Sequence, residues 1–162
     1  MHTAVIAMAS IMSMSCAAQS TPKEAQELAA YPLTMDHVSR HYQTLTDLTL
    51  QFARDPELKR NFQGWAELPL NQQIAKFEAD GKTSTIAKTR GITARDQVMT
   101  MQALKAVMTA FPSIEQGQGP NQYNKLEFAA SSPDHVKFFR DHQADIMKLA
   151  MQFASAVKST SK

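Results

Sequence analysis

Four histidines carry the chemistry that this sequence offers most readily. His37 and His41 stand four residues apart, a spacing that on a helix puts both imidazoles on one side and lets them share a metal ion. His135 and His142 stand seven apart, close to Phe139 and Ile146, with Asp134, Asp141 and Asp145 at hand as carboxylate ligands. If the two helices are neighbours, His41 and His142 meet. A b-type haem site asks for a His–His or His–Met axial pair facing an apolar cavity, and His142 with Met101 or Met35 has the residue types. A c-type attachment is excluded because the chain has no CxxCH. The plainer reading, and the preferred one, is that all four are boundary histidines, partly buried and hydrogen-bonded. No cofactor is expected; metal or haem at His37, His41, His135 and His142 is the alternative. Met147 and Met151 have the spacing of a thioether copper pair, but Met at helical spacing usually fills a core.

Other chemistries find less support. The chain contains no GxSxG, HExxH, GxxxxGK[ST] or GxGxxG. Gly117-Gln118-Gly119-Pro120 is too short, and lacks the following Lys, to cradle a phosphate. Asp36, Asp47, Glu78, Asp141 and Asp145 are dispersed, with no isolated acid–base pair. The reading therefore leans away from an enzyme. With 17 Lys plus Arg scattered against 15 Asp plus Glu, the charge gives no footprint for nucleic acid.

The residues from Met1 to Pro22 include no Asp, Glu, Lys or Arg, and Ala4 to Met14 is an apolar or small-residue run, the pattern of an export signal. Release after Ala18 is the favoured outcome, giving a signal over 1–18; lipidation of Cys16, anchoring the chain to a membrane, is the alternative. No segment reaches the roughly 20 apolar residues that a membrane span requires. With Cys16 the sole Cys, no internal disulfide can form, so a packed core must hold the domain together. Four of the ten Met lie in this same segment, which makes the Met count mostly a matter of targeting and packing.

The elements that must position the histidines are helical. A polar N-terminal linker over 19–33 allows a short helix opened by Thr21-Pro22-Lys23-Glu24, a capping box with Pro at its first position. Periodicity then predicts four principal helices, 34–54, 69–80, 94–111 and 133–157, forming an all-α bundle over 34–158. Asp55-Pro56 opens a further helical turn, Gly81 is expected to stop the second principal helix, and one weak turn is expected over 83–90. The 94–111 helix, apolar on nearly every face, should be the most buried. A long loop over 112–132, with room for a short turn around Leu126 to Ala129, and a frayed tail over 159–162 complete the scheme. The loop, with Ile114, Tyr123 and Phe128, is a candidate partner surface or a crossover tucked onto the core. Trp65 is expected to plug a gap between helices.

The motifs Tyr31-Pro-Leu-Thr-Met35, Gly91-Ile-Thr-Ala-Arg-Asp96 and Ser132-Pro-Asp-His-Val136 resemble those of small exported all-helical proteins of Gram-negative bacteria with no assigned function. The likeness rests mainly on helix caps and brings no catalytic or binding residues with it. The expectation is an exported protein, in the periplasm or at the outer-membrane surface, that binds an envelope protein or itself rather than catalysing a reaction.

Overall fold

The computed structural model describes residues 21–121 and 124–160. The export segment, Cys16, Tyr123 and the last two residues of the tail therefore lie outside the described residues. Those described are all-helical, with eight α-helices and one 3-10 turn: α1 (Pro22–Ala29), α2 (Met35–Arg54), α3 (Pro56–Asn61), the 3-10 turn Trp65–Glu67, α4 (Leu70–Ala79), α5 (Gly81–Thr89), α6 (Ala94–Glu115), α7 (Lys125–Ala130) and α8 (Pro133–Thr160).

The caps form where side-chain oxygens can take up free N–H groups. Thr21, Thr34, Asp55 and Thr93 each accept from the backbone at the third position of the helix they open. The entry to α4 is different, because its N-cap is Pro69, which has no side-chain oxygen. Glu24 serves instead: its Oε1 accepts from Leu70 N at 2.7 Å, while Oε2 accepts from Thr21 N at 2.7 Å. One buried carboxylate thus closes the start of α1 and of α4, and Ala25 and Leu28 carry α1 into the core.

Three sequence expectations are corrected. Gly81 does not end a helix; it is the first residue of α5, because Asp80 caps forward onto Lys82 N and Thr83 N at 3.0 and 2.8 Å. The weak turn expected over 83–90 is accordingly part of a complete helix. The long loop starts later than expected, since α6 runs through Pro112 to Glu115, while α7 falls where the short turn around Leu126 to Ala129 is expected. A helix interior loses one hydrogen bond at a proline; here the stop comes at Gly117, whose φ of +66° permits the closing bonds Gly117 N to Ile114 O and Gln118 N to Ser113 O.

Helix α6 is the centre of the packing, with α1, α2, α4, α5, α7 and α8 all against it. Val98, Met99, Ala103, Val107 and Ala110 are buried along its length. The most extensive contact in the fold outside α6 is α2 along α8, where the rings of Tyr42 and Phe153 lie 6.4 Å apart. A satellite of aromatic rings, Phe62, Trp65 and Phe77, fills the space beneath the 3-10 turn, and Trp65 Nε1 donates to Gln73 O at 2.9 Å. No helix among the described residues is long and apolar enough to cross a membrane.

Candidate functional site

Three short motifs far apart in the chain converge on Tyr31. Proline at 32 ends helical continuation after α1 and leaves the Tyr31 side chain lying across the start of α6. Its ring stacks on His37 with centroids 5.7 Å apart. Its hydroxyl lies 3.1 Å from His37 Nδ1, 3.3 Å from Asp96 Oδ1 and 3.1 Å from Thr100 Oγ1. A phenol has one proton to donate and two positions to accept. The arrangement that satisfies all three contacts has Tyr31 donating to the carboxylate and accepting from Thr100 and from His37 Nδ1–H. Asp96 accepts also from Thr93 Oγ1 at 2.6 Å, so the carboxylate that caps α6 holds the phenol as well. At the other end of the residue, His135 Nε2 donates to the Tyr31 carbonyl at 2.6 Å.

This geometry limits what the hub can do chemically. Burial first, then the adjoining Asp96 carboxylate, push the Tyr31 phenol up to about 12, with Thr100 opposing in part. A phenol held protonated is a poor base or nucleophile near neutral pH. The cluster is built to fasten α1, α2, α6 and α8 at one point.

The four histidines do not come together as one group. His37 and His135 share Tyr31 but touch opposite ends of it. His41 is buried in the α2–α6 seam beside Gln97, with its ring edge-on to Tyr42 at 5.3 Å. His142, half-buried, packs against Phe138 at 4.9 Å; it does not pair with His41. Among the described residues, no three His, Cys, Asp or Glu side chains are grouped so as to hold a metal ion.

Two features were not singled out from the sequence. Tyr31, Asp96 and His135 each sat in a recognised cap motif, but nothing in the spacing showed that the three motifs meet. Gln97 falls in helical register with Met101, Leu104 and Met108 on α6, and a polar residue in that position is a legible sign of a buried polar contact. Met151 corrects the core-filler reading: it is 63% exposed, at the middle of an open, shallow groove on α8 lined by Ala144, Met147, Lys148, Gln152 and Ser155. These residues fall opposite the apolar arc of α8 at roughly 100° per residue, so that signal was present in the sequence.

Comparison with protein-family models gives no match, and neither curated proteins nor solved structures give one.

Proposed function

We infer that this chain is a non-enzymatic interaction protein of the bacterial envelope, exported to the periplasm or the outer-membrane surface, and that it works by docking an envelope protein or a second copy of itself. The observation that carries the reading is the outer face of α8. Met151 stands exposed beside Met147, with Lys148 next to them and no packing partner from the fold across the groove. Exposed Met beside a cation is an adaptable surface for an apolar side chain flanked by a carboxylate. In this reading α2, α4, α6 and α8 are the four principal helices of a bundle whose inner faces supply rigidity. The packing of α6 on each of the other three supports that arrangement. The export signal over 1–18 supplies the location, with a lipid anchor at Cys16 as the alternative to release after Ala18.

A photo-crosslinking residue placed at position 151, with position 105 on the exposed side of α6 as control, tests the interaction in living cells. A discrete adduct at 151 that is missing at 105, and is lost when Met147 is also changed to Glu, is expected. Equal labelling at both positions overturns the assignment of this face. Cell fractionation with the mass of the mature N-terminus separates release after Ala18 from acylation at Cys16, and a full-length cytoplasmic chain removes the envelope reading.

A further inference from the structure

We propose that the seam between α2 and α6 where Gln97 meets His41, with Thr44 beside it on α2, is an acid-operated release, in which gain of a proton by His41 parts the two helices. The three side chains are 3%, 0% and 1% exposed. Each has a buried polar atom without a hydrogen-bond partner: His41 Nδ1, Thr44 Oγ1 and Gln97 Oε1. His41 and Thr44 are three residues apart, and so neighbours on one face of α2, while Gln97 approaches the imidazole from α6. A buried polar group left unpaired weakens the packing around it. Three of them close together in sequence or space, in an otherwise apolar core, mark this region as the least satisfied part of that core.

A neutral imidazole is tolerated in this position, whereas an imidazolium is not. Its polar neighbours are uncharged, the side chain and backbone of Gln97 foremost, and no counter-charge comes from any element packed on α2. On α6, Asp96 is turned to Tyr31 and Thr93, Arg95 pairs with Glu27, and Lys105 is exposed. On α8, His142 lies against Phe138, while Lys137 pairs with Asp141 and Asp145 and Lys148 are exposed. The charged residues of α3 (Glu57, Lys59 and Arg60) and of α5 (Lys82 and Lys88) are exposed too, and on α2 itself His37 is held by Tyr31. Burial holds the His41 pKa down, to about 4, with Gln97 opposing in part.

The direction of the effect follows. Once the helices part, His41 regains its ordinary value near 6.5, so between about 6.5 and 4 the open form binds a proton that the closed form does not. Lowering the pH through that window favours opening, by roughly 160-fold at pH 4 relative to an imidazole that stays neutral. Opening uncovers the part of the core around His41 and Gln97 that is hidden at neutral pH.

Hydrogen exchange of the α2 amides, corrected for the intrinsic pH dependence of exchange, measures the opening constant. In the unmodified chain it should rise by about 80-fold from pH 6.5 to 4. In His41→Gln the rise over the same window should be absent, and in His142→Gln it should match the unmodified chain. Parallel curves for the unmodified chain and His41→Gln overturn the proposal. Where His41→Gln does not fold, the ring titration of His41 in the unmodified chain decides. A midpoint near 4 accompanied by increasing opening supports the release; a midpoint near 6.5, or opening that stays flat with pH, rejects it.

Discussion

Arg40 Nη1 donates to the carbonyl of Gly91 at 2.7 Å, and a Cβ built on Gly91 would stand 2.1 Å from that same nitrogen. The glycine is thus required twice, by the arginine that lies over it and by its own φ of +71°. That conformation lets α5 close through Gly91 N to Lys88 O and Ile92 N to Ala87 O before α6 begins. Gly91→Ala should lower stability by about 1–2 kcal/mol, the cost of a left-handed L-residue, plus whatever the displaced guanidinium loses. In Arg40→Ala/Gly91→Ala the second part disappears, so the double variant should be less destabilised than the sum of the singles in urea titrations. Strict additivity would show that Arg40 does not press on this turn.

Tyr31→Phe removes the hydroxyl from His37, Asp96 and Thr100 without changing the ring. A loss of about 1–2 kcal/mol is expected, from one net hydrogen bond and the polar groups left behind. The same variant has a signature at high pH. Because the phenol is raised to about 12 in the folded chain, the unfolded chain ionises first as pH passes 10. The stabilisation is complete below pH 10 and is lost progressively between 10 and 12. Denaturation midpoints that fall equally in Tyr31→Phe across this range would assign the alkaline loss to other residues.

Much of this arrangement was legible in advance and part was not, for a physical reason. Thr34, Asp55, Thr93 and the Thr21 box were readable because a cap is decided within four residues. Gly81 was misread because Asp80 next to it can serve either as the end of one helix or as the cap of the next, and the local sequence does not say which oxygen finds the free N–H groups. Pro112 was read as a break because a proline in a helix costs a hydrogen bond, while the contacts that α6 makes on every side outweigh that loss. The Tyr31 hub escaped because, His37 apart, its partners are 65, 69 and 104 residues away, and no local pattern encodes a contact of that kind.

Glu24→Gln keeps the shape of the side chain but weakens two charge-assisted bonds, and Glu24→Ala removes them. The first should cost up to about 1 kcal/mol and the second about 1–2. The distinguishing measurement is exchange at the Leu70 amide, which should lose protection in Glu24→Ala well before the rest of α4. Unchanged protection there would mean that the cap of α4 lies elsewhere.

Copper, zinc and haem are each expected to leave the thermal midpoint of the purified chain where it is. His135 Nε2 is engaged by the Tyr31 carbonyl, His41 is buried, and His37 and His142 are not grouped with further ligands. A rise of several degrees on adding any of the three, or a Soret band in natively purified protein, would restore the carrier alternative.

The bond from His135 to Tyr31 also imposes an order on assembly. A chain made from its N-terminus presents Tyr31 early, yet the imidazole that meets its carbonyl arrives 104 residues later. Until the start of α8 has been delivered, the α1–α2 corner has only part of its fastening, and a chain broken off before residue 135 never completes it. The hub therefore reports completeness: the corner first closes fully when both ends of the domain are present, so a truncated product should stay open to proteases at the Tyr31 turn while the full chain is protected there.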